Sequence, residues 1–370
     1  MAGIKMRCGH TSIYSKMHIT NSGMCIVNTF GRHENGHSFK IQLSSGHHIM
    51  ATETTRSSVL ILGAKGHLGQ AAVNAFAAAG WRVIAQARSP MTNKWMANVE
   101  TLECDALDTA KIIAAVPKVD VIVHALNPNY ARWDALLPPV TSAVIAIAKA
   151  SGGMLMVPGN VYNFGTSLPL LLSETTPFSA DTGKAALRIQ MEQTIAAAAA
   201  EQGFKSVVIR AGDFIGGSGT WLDMAITKSL DKGMVTSMGP DNLAHAWAYL
   251  PDLAEVFVRV AEQRSALTNF QVLHYPGITA SGSDLHAALE AITGRKLKSK
   301  ALPWWLFQMM ALFSPMLRAV LQMRYLWQRP HGLVGTRLEH LIGRLPATSL
   351  QTALAASLPQ LRTKSAPVRQ

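Results

Sequence analysis

Cysteine is scarce in this chain. Cys8, Cys25 and Cys104 are widely separated, odd in number and form no C-x-x-C pair. That argues against a disulfide framework and a cysteine zinc site and in favour of a reducing compartment, the cytoplasm. Acidic residues are few as well, 22 against 34 Lys and Arg, for a net charge of +12. The surplus sits at the ends: residues 1–50 hold five Lys/Arg and one Glu, and residues 295–370 hold twelve Lys/Arg and one Glu. A basic tail beside a near-neutral body argues against a nucleic-acid-binding protein, although the tail is suited to weak contact with a membrane surface. Long hydrophobic runs are missing too. The stretch "ALPWWLFQMMALFSPML", residues 301–317, is interrupted by Pro303 and Pro315 and is shorter than the roughly 20 residues of a membrane span. No transmembrane segment is expected. No secretory signal is expected either, since residues 1–50 have no continuous apolar core.

What is present suits a compact α/β protein: 48% hydrophobic and 15% charged residues over a 370-residue chain, enough for one large domain and a smaller lobe. Residues 1–56 stand apart. They hold six of the thirteen histidines, show no sustained period, and read as a disordered leader or an extension upstream of the true start. Within them His33-Glu34-Asn35-Gly36-His37 has zinc-protease spacing. That chemistry needs both imidazoles on one helix face, and Asn-Gly is a turn dipeptide that breaks a helix, so no metal is expected.

The strongest signal follows. In "SVLILGAKGHLGQAAVNAFAAAGWRVIAQAR", residues 58–88, an apolar run of strand length meets a glycine turn, Gly63-Ala64-Lys65-Gly66-His67-Leu68-Gly69. An Ala-rich helical pattern and a second apolar run come next. Strand, glycine turn, helix, strand is the setting of a dinucleotide pyrophosphate. Gly63 permits the tight turn, Gly66 lets the backbone approach the phosphates, and Gly69 lets helix pack on strand. The helix N-terminus offers oriented N–H groups and positive potential. The acid that would grip the ribose hydroxyl of NAD at the end of the second strand is absent. The strand ends Gln86-Ala87-Arg88, and Lys65 adds a second cation. The pair favours a 2′-phosphate, hence NADP(H), with NAD(H) the other candidate.

The G-x-x-G-x-x-G spacing resembles the short-chain dehydrogenase/reductase superfamily, in particular its extended, NAD-dependent epimerase/dehydratase-like branch. Further segments in order carry the resemblance across about residues 57–350: "LECDALD" with Asp105 and Ala106, "VDVIVHALNP" with Ala125 and Asn127, "MLMVPGNVYNFG", "SVVIRAGDFIG", and "AWAYLPDLAEVFVRVAE" with Asp252. It implies a Rossmann-type doubly wound parallel sheet, strand order 3-2-1-4-5-6 plus a seventh strand, over residues 57–275. A small, mostly helical lobe, 276–370 with a contribution from 217–245, would close over the cofactor and choose the substrate. Gly63, Lys65, Gly66, His67, Leu68, Gly69, Arg88, Asp105, Ala106, Ala125 and Asn127 would hold the cofactor.

The catalytic positions depart from that family. Its Tyr donates a proton to the substrate oxygen, a Lys four residues later holds the nicotinamide ribose and lowers the tyrosine's pKa, and a Ser or Thr orients the oxygen. Anchored on Glu192, "DTGKAALR" (181–188) puts Lys184 at the Tyr position and Arg188 at the Lys position. No Tyr lies between Tyr162 and Tyr249, and Val157-Pro158-Gly159-Asn160 has no hydroxyl. Three readings follow. The site can run an altered oxidoreduction or epimerase/dehydratase reaction on a small carbonyl or alcohol compound, with Lys184 or Tyr162 as proton donor, Arg188 as cation, and Asn160 and Asn127 as orienting amides. It can be a non-catalytic, NADP-binding redox regulator, similar to the nitrogen-metabolite-repression regulators. Or Lys184 and Arg188 are ordinary solvated helix residues, and the site is vestigial or lies elsewhere.

Loop aromatics Tyr130, Trp133 and Trp221 suit pocket walls and ordinary packing equally. In the lobe, a helix is expected from near Ser283-Asp284 to Gly294. The Met- and Trp-rich run 304–330, broken at Pro315, suits packing between lobes, an apolar substrate pocket, or a membrane-surface or homodimer contact.

Overall fold

The computed structural model describes residues 56–92 and 95–358, together with the strands at 3–8, 11–19, 25–32 and 38–43. The chain divides into two units, 1–55 and 56–370. In the first, strands Gly3–Cys8, Thr11–Ile19, Cys25–Arg32 and Ser38–Leu43 pair antiparallel in chain order. Period-two alternations such as Ile4-Lys5-Met6-Arg7 match a strand there. The His33–His37 string lies outside the described residues, as does the end of the basic tail after residue 358.

The second unit is built on seven parallel strands: β1 (Ser58–Leu62), β2 (Arg82–Ala87), β3 (Val99–Glu103), β4 (Val121–His124), β5 (Met154–Gly159), β6 (Ser206–Arg210) and β7 (Phe270–His274). They lie in the order 3-2-1-4-5-6-7. This is the expected Rossmann-type doubly wound sheet. Central parallel strands are covered on both faces and so read as unbroken apolar runs. In β1, Val59 and Ile61 enter the core on one face, Leu60 and Leu62 that on the other, and all four are buried.

Helices α1 (His67–Ala78) and α5 (Leu250–Glu262) cover the first face through Val73, Phe76, Val256 and Phe257. Helices α2 (Thr109–Ala115), α3 (Trp133–Ser151) and α4 (Gly183–Gln202) cover the second through Ile112, Val144, Ile147 and Ile195. Strand order reverses between β1 and β4, so a crevice opens at their carboxyl ends, where open α/β sheets bind ligands.

The smaller lobe is organised by a three-stranded sheet, Asp213–Ile215, Ala244–Tyr249 and Ile278–Ser281. Its core holds Leu222, Leu230, Trp247, Leu289, Trp327 and Leu354. Helix α6 (Gly282–Thr293) ends at Gly294 as expected, but its cap is Ser281, two residues before the expected start. Ser281 and Asp284 form a reciprocal capping box, which satisfies two backbone donors at once. The Met- and Trp-rich run becomes α7 (Trp304–Ala311) and α8 (Pro315–Leu321), with Pro315 opening the second helix. The lobe ends in α9 (Thr336–Ile342) and α10 (Leu350–Ser357). Between them Thr348 donates to both carboxylate oxygens of Asp252, from its N at 2.9 Å and its Oγ1 at 2.8 Å, tying the lobe's end to α5.

Candidate active site

The glycine turn after β1 leaves no room for side chains. Gly63 has φ +84°, and a Cβ there would lie 2.8 Å from the carbonyl oxygen of Ala125. A Cβ on Gly69 would overlap the carbonyl oxygen of Gly63. Gly66 N donates to Gly63 O at 2.9 Å, closing the turn. Gln86 holds the turn from below: its Oε1 accepts from Gly63 N at 3.0 Å and its Nε2 donates to Cys104 O at 2.7 Å. The residue that takes the place near the missing acid is therefore a structural brace.

Helix α1 begins at His67 with Gly66 as N-cap, no capping side chain and no acid in the first turn. Its first amides are thus left to an anion. Gly217 and Gly219 pack on the His67 ring. Burial lowers the His67 pKa, opposed by the charge of Asp223. At the end of β2, Lys65 Nζ donates to Ser89 Oγ (2.9 Å) and Pro90 O (3.3 Å), leaning over the loop that starts at exposed Arg88. Asp105, exposed beyond β3, accepts from Leu107 N at 2.9 Å, with Ala106 buried beside it. Ala125 is buried under Gly63, and Asn127 is exposed at the mouth of the crevice. A tight cradle, uncapped amides and two cations fit a dinucleotide.

The second half of the site lies on α4, capped by Thr182, whose Oγ1 accepts from Ala185 N. Lys184, Arg188 and Glu192 recur every four residues and so share one face. All three are buried, which removes the reading of Lys184 and Arg188 as solvated helix residues. Lys184 Nζ donates to Tyr130 O at 2.8 Å and lies 3.7 Å from the centre of the Tyr130 ring and 5.0 Å from that of Trp133. Burial brings its pKa down to about 8, with Asp134 opposing. Arg188 Nη2 donates to Pro158 O at 2.6 Å, while its buried Nε has no hydrogen-bond partner. Burial lowers its pKa, with Glu192 pulling the other way.

Glu192 itself pairs with Arg210 at 2.8 Å, in the interior. Arg210 also donates to the carbonyl oxygen of Asn160, and its guanidinium lies 5.3 Å and 5.2 Å from the centres of the Phe164 and Phe178 rings. Asn160 Oδ1 accepts from Tyr162 N at 3.1 Å, so its amide caps the turn that presents Tyr162. The Tyr130 and Tyr162 rings both pack on Trp133, with centres 4.9 Å away for Tyr130 and 6.2 Å away for Tyr162. Burial raises both phenol pKa values, and the negative charge of Asp213 adds to the rise. Lys184, Arg188, Tyr162 and Asn160 thus converge at the carboxyl end of β5.

The sequence profile of the NAD dependent epimerase/dehydratase family matches residues 59–273, more than half of the chain. The chain belongs to that family. Solved structures of similar fold include UDP-glucose 4-epimerase from Bifidobacterium longum in complex with NAD+ and UDP. It is 17% identical, with 84% of this chain and 99% of that one covered and a TM-score of 0.64. The Bordetella bronchiseptica enzyme WbmH in complex with NAD+ is 17% identical over 84% and 100%, TM-score 0.63. UDP-glucuronic acid 4-epimerase from Bacillus cereus is 16% identical over 83% and 99%, TM-score 0.62. No curated protein matches the chain significantly by sequence.

Two groups of this epimerase/dehydratase-family protein escape sequence reasoning. The first is a pair from the small sheet: His245 Nε2 meets Asp213 Oδ2 at 2.7 Å. The His245 ring stacks on Trp327 at 4.5 Å and 2°, and its buried Nδ1 has no partner. It lines a cleft with Ser237, Asp241 and Arg329. Asp213 lies in the segment 206–216 that the family resemblance covers, but nothing in that segment signals its partner, 32 positions away. The second is His124, buried at the end of β4 with its pKa driven down to about 3 by burial and by Arg188. Among the described residues no cluster of His, Cys, Asp or Glu could hold a metal ion. Trp133 and Tyr130 wall the lysine, and Trp221 packs on Trp327 at 5.9 Å.

Proposed function

We propose that the protein is an NAD(P)-dependent oxidoreductase, or an epimerase/dehydratase-type enzyme, acting on a small carbonyl or alcohol compound. Lys184 and Arg188 take the places of the family's Tyr-x-x-x-Lys pair. The observation that carries this reading is the direction of the pKa shifts around the site. Lys184 is brought down to about 8, near neutrality, whereas Tyr162 and Tyr130 are pushed up and away from it. A group whose pKa lies near the working pH both gives and takes a proton, which is the requirement for general acid–base catalysis. Lys184 then moves the proton at the substrate oxygen. Arg188, stripped of water, supplies fixed positive charge beside it, and Asn160, Asn127 and the Tyr162 hydroxyl orient the oxygen. A bound nicotinamide supplies hydride exchange at the adjacent carbon.

The cofactor reading is NADP(H). It is supported by Lys65 of the glycine turn reaching the loop that begins at Arg88, and by the absence of an acid at Gln86-Ala87-Arg88, the end of β2. A charge-assisted hydrogen bond is worth about 1.5–3 kcal/mol, so Arg88→Ala should weaken NADPH by roughly 10- to 100-fold and leave NADH nearly unaffected. Equal losses for both would remove Arg88 from 2′-phosphate recognition. No helix among the described residues is long and apolar enough to cross a membrane. The few, widely spaced cysteines support a reducing, cytoplasmic location.

One observation favours a second reading, a cofactor-binding redox regulator without turnover. The Lys184 ammonium is already engaged by Tyr130 O and two aromatic rings, as a purely structural lysine would be. Absorbance of NADPH followed against a panel of aldehydes and ketones separates the two. Oxidation of NADPH by any of them supports the enzyme, as does isomerisation or dehydration of a compound seen by NMR with the cofactor regenerated; tight cofactor binding with neither supports the regulator.

A further inference from the structure

Thirteen large hydrophobic side chains are exposed among the described residues, and seven of them fall between positions 305 and 316. Surface hydrophobics scattered singly are ordinary, but a contiguous group of this size marks an interaction surface. It comprises the outer side of α7, the turn after it and the start of α8. Trp305 is 68% exposed and Phe313, at the turn, 90%, so the group stands off the surface as a ridge and is not folded into a groove.

The ridge is firmly built. Trp304 Nε1 donates to Met238 O at 2.8 Å, and the Arg324 guanidinium lies 5.6 Å from the Trp304 ring, which roots α7 in the lobe. Ala311 and Ala319 face inward and are buried. At the turn, Arg318 Nη1 donates to the carbonyl oxygens of Ala311 and Leu312, both at 3.3 Å. Ser314 Oγ accepts from Leu317 N at 3.3 Å. The chain's own side chains therefore satisfy backbone groups that would otherwise need water, a condition for placing a turn against lipid.

The charge around the ridge decides its partner. Residues 291–330 hold seven Lys and Arg and no Asp or Glu. Lys296 is paired with Glu290 at 2.9 Å; two copies meeting ridge to ridge would still bring the other six cations together with no Asp or Glu within 291–330 to offset them. An anionic lipid surface supplies the missing charge and accepts Trp, Phe, Leu and Met at its interface. Helix α7 has eight residues, about 12 Å, which excludes a span and leaves an in-plane contact. We propose that the α7–α8 hairpin docks the protein on an anionic bilayer, with Trp305, Met309, Met310, Leu312, Phe313 and Met316 entering the interfacial layer and the flanking cations meeting the headgroups.

Flotation of the full chain with phosphatidylcholine vesicles, with and without 30 mol% phosphatidylserine, tests this at about 0.1 M salt. Wild type should float with the phosphatidylserine vesicles and not with phosphatidylcholine alone. The exposed double substitution Leu312→Asp/Phe313→Asp, checked for an unchanged melting temperature, should cut the bound fraction at least tenfold. Lys298→Glu/Lys300→Glu should weaken binding to the anionic vesicles. Equal flotation of the Leu312/Phe313 variant would assign binding to the retained basic tail and overturn the proposal. So would wild type that ignores the vesicles, including one whose concentration-dependent dimer the double substitution dissolves.

Discussion

Lys184 carries its ammonium into a pocket made by Tyr130 and Trp133, and the loss of water there brings its pKa down to about 8. The rate should carry the same signature. In the reducing direction the ammonium is the proton donor, so turnover falls as pH rises through about 8. In the oxidising direction the free amine is the acceptor, and turnover rises over the same range. Lys184→Met removes the group without removing its bulk. Turnover should drop by roughly 10²–10⁴-fold, the usual contribution of a positioned acid or base, while the dissociation constant for NADPH stays nearly unchanged. Unaltered turnover in the variant would remove Lys184 from the chemistry. Its identity as a candidate was legible from the eight residues "DTGKAALR". Its depressed pKa was not, because it depends on Tyr130 and Trp133, more than fifty residues earlier in the chain.

Elements show the same division between local and long-range information. The β1–turn–α1 unit is written in contiguous residues: an unbroken apolar strand, three glycines, then a helix whose first turn has neither acid nor cap. Replacing Gly69 by Ala pushes a methyl group into the Gly63 carbonyl, so the turn must shift. NADPH affinity should fall at least about tenfold, with a stability loss of roughly 1–3 kcal/mol, as for other overpacking substitutions. Calorimetric titration and a denaturant melt check both, and unchanged affinity would mean the turn does not cradle phosphate. In contrast, the Asp213–His245 pair joins two strands 32 positions apart and leaves no pattern in either segment alone. The α7–α8 hairpin shows the limit of composition. Its Met and Trp content allows packing between lobes, an apolar pocket or a surface contact, with packing the favoured reading, and the exposure of Trp305, Met309 and Met310 puts these residues on the surface.

Across the whole molecule, several imidazoles are held neutral in the interior. Burial drives the His124 pKa to about 3, and those of His274 and His331 to about 4, the last two also pushed down by Arg210 and by His245 respectively. The unfolded chain takes up these protons below about pH 6.5, whereas the native protein refuses them until pH 3–4. Native stability is therefore complete above pH 6.5 and declines as pH falls toward 4. The melting temperature should drop steadily between pH 6.5 and 4.5; a flat profile there would mean these sites hydrate or protonate freely in the folded state. The seven-strand order and the glycine cradle were readable in advance because each depends on short contiguous segments. The buried charges were not, since Arg210, Glu192 and Asn160 meet only when the sheet and α4 come together. All of the function proposed here presupposes a pyrophosphate seated on the amides at the start of α1. Isothermal titration of the purified full-length protein with NADPH and with NADH tests that most directly. The account predicts stoichiometric binding with NADPH the tighter of the two, and well-folded protein that takes up neither would contradict it.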